Sequence, residues 1–287
     1  MIKQKLFDEL IEQGASECGV VRARKFSELF TILEKRGRVS LCESDIEKRI
    51  NPFLLMNNAK SIIVCLFSYC IGEKGRISQY AMGEDYHKVV INALEKGCEI
   101  LKQNGFSSKA YADNSPLLER YLAYLAGLGF FGKNGMLINE KYGSFVFIGY
   151  ILTDCEIPCD TPLDNSMCIG CNKCIDACPG NALGEDFSFN ENKCVSYLTQ
   201  KKGELTDKEQ EIIKKSGYIW GCDICQNVCP YNYTAQHTNI PQFFKNLVFD
   251  IEIDENMSNS EFRHKFSNRA FAWRGKNVLK RNIELFK

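Results

Sequence analysis

The spacing of eight cysteines between Cys168 and Cys229 constrains this chain more than any other feature. Cys168, Cys171, Cys174 and Cys178 stand as C-x2-C-x2-C-x3-C, followed by Pro179. Cys222, Cys225 and Cys229 repeat the pattern one cysteine short, followed by Pro230, and Cys194 stands alone between the runs. Thiolates three residues apart on a tight loop converge on one face of a cuboidal cluster. The first run is the bacterial iron–sulfur signature, in which the fourth cysteine ligates the other cluster when two are present. Exchange of the fourth ligand predicts one 4Fe–4S cluster on Cys168, Cys171, Cys174 and Cys229. The second then takes Cys178, Cys194, Cys222 and Cys225. Structural zinc is the alternative for four cysteines, but the x2-x2-x3-Pro run is not zinc-ribbon spacing.

The rest of the composition is that of a soluble globular protein, 45% hydrophobic and 25% charged. Lys+Arg and Asp+Glu are 36 each, which excludes a uniformly basic nucleic-acid binder but not a local basic patch. The 15 cysteines in 287 residues are about 5%, below the ~8–10% of a disulfide scaffold, and their number is odd. The N-terminal residues carry no secretory pattern, and the longest apolar stretch, near residues 62–67, is far short of the ~17–20 a membrane span needs. A reducing cytoplasm and no membrane association are expected. Cys18, Cys42, Cys65, Cys70, Cys98, Cys155 and Cys159 lack ligand spacing and are read as buried small hydrophobes.

The cysteine shift places a boundary at the turn-rich residues 158–165. It divides the chain into 1–157, 158–240 and a tail, 241–287. Before the boundary, helical spacing at Leu6, Phe7, Leu10 and Ile11 precedes a strand at 61–69. A helix at 86–101 presents Val89, Val90, Ala93 and Leu94 on one face. Ser115 as N-cap and Pro116 open a helix through Leu118, Tyr121, Leu122 and Leu125 to Gly127, and a strand follows at 144–153. A charged helix is expected at 207–215. The fold class is α+β. Residues 127–132 read GLGFFG, a literal G-x-G-x-x-G, but the stretch follows a helix, so it is no dinucleotide fingerprint. The three histidines, His87, His237 and His264, lie in no D-x-H-x-x-G setting, so no histidine lower ligand for a corrinoid is indicated. Asp113, just ahead of the helix, is either a turn former or a general acid. Residues 261–287 carry Arg263, Lys265, Arg269, Arg274, Lys276, Lys280, Arg281 and Lys287 against Glu261 and Glu284. Phe262, Phe266, Phe271 and Trp273 are interleaved, which reads as a nucleic-acid footprint or as an amphipathic helix with a solvated basic face.

Several stretches together resemble the epoxyqueuosine reductase family. They are KRINPFLLMNNAKSIIV (48–64), YAMGEDYHKV (80–89), DNSPLLERYLAYLAGLGFFGKNGMLI (113–138) and YGSFVFIGYILTD (142–154), then CVSYLT (194–199), GCDICQNVCPYN (221–232) and RAFAWRGKNVLKRN (269–282). The resemblance implies an N-terminal α/β cobalamin-binding domain, a ferredoxin-like module with two 4Fe–4S clusters, and a short basic tail. It implies reduction of epoxyqueuosine to queuosine in tRNA, with the clusters feeding electrons one at a time to base-off cobalamin. Asp113 takes the proton donor's position. The expected cobalamin neighbours are Arg49, Tyr86, His87, Asp113, Ile138, Ser196, Cys222 and Asp223. The expected partners are tRNA, met through the basic tail, and an external low-potential electron donor; the protein is expected to be a monomer. Two departures stand out. Helical repeats of longer members do not follow Lys287, and Gln79 replaces an expected basic residue. They keep two alternatives open: a cobalamin and iron–sulfur reductase of a small molecule, related to reductive dehalogenases, and a non-catalytic ferredoxin-type carrier.

Overall fold

The computed structural model describes residues 2–37, 40–113, 115–163, 168, 170–254 and 256–287. The last two residues of the expected linker, 164 and 165, lie outside the described residues. The chain forms two compact units, each drawn from separated stretches. The first comprises Met1–Ser68, His87–Phe131 and Val146–Met167, and the second Tyr69–Tyr86, Gly132–Phe145 and Cys168–Lys287.

The first unit is built on the strand Ser61–Ser68, whose residues are all buried. Its uninterrupted apolar run is the pattern of a strand covered on both faces. It pairs antiparallel with Glu17–Arg22 on one side and Val146–Thr153 on the other, and Ser108–Ala112 completes the sheet beyond Val146–Thr153. The direct partners Cys65 and Gly149 share one face. A Cβ at Gly149 would meet Val90 and Leu94, so its bare backbone admits the helix Tyr86–Gln103. Gly97 of that helix packs on Ile151, Leu6 and Leu10, which places the helix Ile2–Glu12 on the same side. The other face carries Gly19, Val64 and Tyr150 in register. A Cβ at Gly19 would strike the carbonyl of Ala126, so the helix Glu119–Leu125 comes down on this face. Each buried Ile, Leu or Val in such a layer contributes about 1.5–3 kcal/mol.

That helix begins at Glu119, not at Pro116 as expected, and Leu118 at its N-cap makes no side-chain cap bond. Ser115 Oγ instead accepts from Leu117 N–H at 3.1 Å and meets Tyr150 Oη. A hydroxyl held in a local turn does not cap. At the far end Gly127 takes φ 73°, a conformation glycine adopts without a Cβ penalty, and the next element is the short strand Phe130–Phe131. The G-x-G-x-x-G stretch therefore opens no helix. The seven other cysteines divide: Cys65, Cys70 and Cys155 are buried, Cys18 and Cys98 half-buried, and Cys42 and Cys159 exposed. The last two depart from the buried reading because each lies on an irregular stretch outside helix and strand.

The second unit has its own apolar cluster, in which Ile77, Met82 and Trp220 pack with Phe262, Phe266, Phe271 and Leu279. Trp220 Nε1 donates to Tyr80 Oη at 2.7 Å. The helix Asp207–Ser216 starts with a capping box from Thr206 and Glu209 and ends at Gly217, as the charge pattern and these residue types dictate. The helices Asn259–Lys265 and Lys276–Glu284 form the tail. Three of its four interleaved aromatics are core, and only Trp273 is exposed, with the Arg274 guanidinium 3.8 Å above its ring. Arg269 donates to the carbonyls of Met82, Gly83 and Asn246, and Arg281 to those of Lys201 and Gly203. These two cations fasten the tail to its unit; Arg263, Lys265 and Lys287 are exposed. Among the described residues no helix is long and apolar enough to cross a membrane.

Candidate cluster sites and a candidate acid

In the second unit a cavity is lined by Cys168, Cys171, Cys174 and Cys229. Asn172, left-handed at φ 55°, turns the chain between Cys171 and the short helix Lys173–Asp176 that carries Cys174. Cys229 is brought in by Asn232, whose side chain donates to Gln226 O at 2.7 Å and accepts from Ser144 N–H at 2.7 Å. Burial, followed by the charges of Cys229, Cys168 and Cys171, raises the Cys174 thiol.

The other four cysteines also act on one another. Burial pushes the Cys222 thiol up to about 12, with the charges of Asp223, Cys194 and Cys178 adding to it. Cys225 is also driven well above its ordinary value, by burial and then by Cys222 and Cys194. Metal binding takes such cysteines as thiolates and supplies the compensating charge. All-sulfur quartets suit iron–sulfur clusters or zinc. The donor set of each quartet, four cysteine sulfurs, is the one a 4Fe–4S cubane takes, with one iron at each thiolate.

The residues around the quartets are firmly tied. Asp223, 1% exposed, receives Ser78 Oγ–H, Gln79 N–H at 2.7 Å and Gln226 Nε2–H at 3.4 Å. Its carboxyl is pushed up to about 6 by burial, against those bonds. The side chain is thus engaged inside its own unit. Gln79, the departure from the family pattern, is buried and accepts Ile71 N–H at 3.1 Å. Of the other expected cofactor neighbours in this unit, Ile138 lines the first cysteine cavity. Tyr86 sets its ring edge-on to Tyr80 at 6.3 Å. Ser196 lies on the helix Val195–Leu198 that follows Cys194, and its carbonyl accepts Gln200 Nε2–H at 2.8 Å.

In the first unit Asp113 follows the strand Ser108–Ala112 and takes a left-handed φ of 55°. Its exposed carboxylate lies 3.5 Å from His87 Nε2, and its backbone N–H donates to Glu119 Oε1 at 2.9 Å. Burial, then the Asp113 charge, pushes the Glu119 carboxyl up to about 8, while Arg120 and His87 oppose the shift. Arg49 sits half-buried on the helix Ile46–Ile50, capped by Asp45. The structure therefore brings His87 and Asp113 together and leaves Arg49 on a separate helix. Sequence reading missed Glu119, whose place six residues after Asp113 was a signal. It also missed Lys133, whose Nζ donates to Asn172 Oδ1 at 2.7 Å.

Comparison with known proteins matches the same segments. A profile described as "Epoxyqueuosine reductase QueG" covers residues 49–114, and one described as "4Fe-4S double cluster binding domain" covers 167–232. An epoxyqueuosine reductase of Lactococcus garvieae is 33% identical over 303 residues, spanning 98% of this chain and 85% of that protein. An epoxyqueuosine reductase solved with an epoxyqueuosine-modified tRNA stem loop matches 99% of this chain and 80% of its own, at TM-score 0.86 and 30% identity. A Bacillus subtilis epoxyqueuosine reductase, described as having its catalytic aspartate loop swung out of the active site, matches at TM-score 0.86 and 31% identity over 99% of this chain and 80% of its own. A reductive dehalogenase described as B12-dependent shares the fold alone, at TM-score 0.51 and 15% identity, over 98% of this chain and 36% of its own. With such identity across nearly its whole length, the chain belongs to the epoxyqueuosine reductase family.

Proposed function

We propose that this chain reduces epoxyqueuosine to queuosine in tRNA, with two 4Fe–4S clusters and base-off cobalamin as its cofactors. The observation that carries the reading is a family likeness spanning 98% of the chain, which takes in both cysteine runs and the Asp113 loop. Cys168, Cys171, Cys174 and Cys229 would hold one cluster, and Cys178, Cys194, Cys222 and Cys225 the other. Arg49, Tyr86, His87, Asp113, Ile138, Ser196, Cys222 and Asp223 would neighbour the corrin.

The net change takes two electrons and two protons, and turns the epoxide into an alkene and water. The cofactors, when bound, supply the electrons for C–O cleavage. Asp113 delivers a proton to the oxygen as the bond opens, where charge would otherwise develop. His87, 3.5 Å away, orients that carboxyl, and Glu119 holds its backbone. The exposed Arg263, Lys265 and Lys287 would meet tRNA phosphate. The protein works as a cytoplasmic monomer fed by an external low-potential donor. The test is anaerobic reconstitution with cobalamin and a reductant, assayed on tRNA carrying epoxyqueuosine. Conversion to queuosine is expected. A preparation full of iron and corrinoid that leaves the tRNA unchanged overturns the reading in favour of a small-molecule substrate.

A further inference from the structure

The loop over the first cysteine cavity carries a buried donor with no acceptor. Gly132, Asn134 and Ile138 line that cavity beside Cys168, Cys171, Cys174 and Cys229. Asn134 is 8% exposed, and its Oδ1 accepts Met136 N–H at 3.1 Å. That bond fixes which end of the amide is which, because turning it over would set two N–H groups against each other. The Nδ2 group is then buried and meets no partner among the described residues. Unmet buried donors are rare and costly. Gly132 makes room for the amide: a Cβ there would lie 2.6 Å from Asn134 Oδ1 and from Ile138 Cδ1. Lys133, next in the chain, donates to Asn172 Oδ1 between the ligand cysteines, and so pins the loop to the cysteine turn.

We infer that Asn134 Nδ2 donates an N–H···S hydrogen bond to the cluster held by Cys168, Cys171, Cys174 and Cys229, and raises its reduction potential. The inference rests on the cluster reading given above. Cluster sulfurs and thiolates are the acceptors that would enter this cavity. Reduction adds an electron to an already anionic centre, so a donor aimed at sulfur favours the reduced state. Asn134 is in this sense a positioning and tuning residue; it touches no substrate.

The experiment is an EPR-monitored redox titration of anaerobically purified full-length protein, with Asn134→Leu and Asn134→Asp beside the wild type. Cys168→Ala identifies which signal belongs to this cluster. Removing the donor should lower the reduced-to-oxidised ratio at fixed potential about tenfold, equivalent to ~59 mV for one electron. Asn134→Leu removes the donor without adding charge, and Asn134→Asp keeps the Oδ1 acceptor for Met136. A fall in both variants supports the inference, whereas a fall in Asn134→Asp alone reports added charge and overturns it. Wild-type protein labelled with 15N in asparagine needs no substitution at all. Pulsed EPR of its reduced cluster should show a 15N coupling that asparagine labelled only at the backbone does not give. Its absence, with the cluster signal present, overturns the inference even where a variant fails to assemble. Protein without iron or sulfide would instead sink the cluster reading.

Discussion

The strand Ser61–Ser68 and the cysteine segment 170–178 are held by different means. Every residue of the strand is buried, while the helix Lys173–Asp176 that presents Cys174 buries none of its residues. The first can be stable on apolar burial alone. The second buries little, so bonds to metal would add to its few protein contacts, as in small metal-stabilised modules. Under the proposed function the division is the same: the sheet would place a proton donor, and the cysteine loops would place electron carriers.

The largest effect that bears on this contrast is loss of iron. Chelation under reducing conditions should leave the strand Ser61–Ser68 protected from hydrogen exchange, while residues 170–178 lose protection outright. Equal protection of both in the iron-free protein would break the comparison. Next in size is Asp113→Asn, which should lower single-turnover deoxygenation ~100–10,000-fold with iron and corrinoid content unchanged; near-normal turnover would return Asp113 to a turn former. A core substitution sharpens the other half: Leu66→Ala removes a fully buried side chain and should cost about 2–5 kcal/mol in denaturant unfolding. Its iron content should stay at the wild-type level.

The smallest effect concerns Glu119. Its folded-state pKa of about 8 lies above its ordinary value of 4.5. The folded protein therefore keeps a proton that the unfolded chain has lost, and stability falls as pH rises from 4.5 through 8. Glu119→Gln keeps an acceptor for Asp113 N–H but cannot titrate, so its melting temperature should vary less across that window. An unchanged slope would mean that Glu119 is ionised in the folded protein.

What could be read from the sequence was what is local and periodic. The apolar runs became the strands Ser61–Ser68 and Val146–Thr153, and the charged stretch 207–215 became the helix Asp207–Ser216. Cys168, Cys171 and Cys174 line one cavity because loop geometry at three-residue steps is itself local, and the distant Cys229, expected there from the crossed ligand pattern, lines it too. Partners distant along the chain that no such pattern marks could not be read. Asp223 and Gln79 are 144 residues apart, and nothing in either neighbourhood announces the bond. The tail aromatics looked like a binding footprint because composition does not say which face is buried; Phe262, Phe266 and Phe271 turned inward. Ser115 carried a good cap signal that lost to a turn bond and to Tyr150. Glu119 sat in plain sight, but only burial distinguishes it from a surface carboxylate.

The crossed ligation of two clusters is the claim on which the cysteine half of this account depends, and iron counting with EPR on cysteine variants tests it most directly. Wild-type protein should carry about eight irons and eight acid-labile sulfides per chain. Cys229→Ala should damage the same cluster signal as Cys168→Ala and leave intact the signal lost in Cys222→Ala. A Cys229→Ala lesion confined to the cluster of Cys222 and Cys225 would contradict the account.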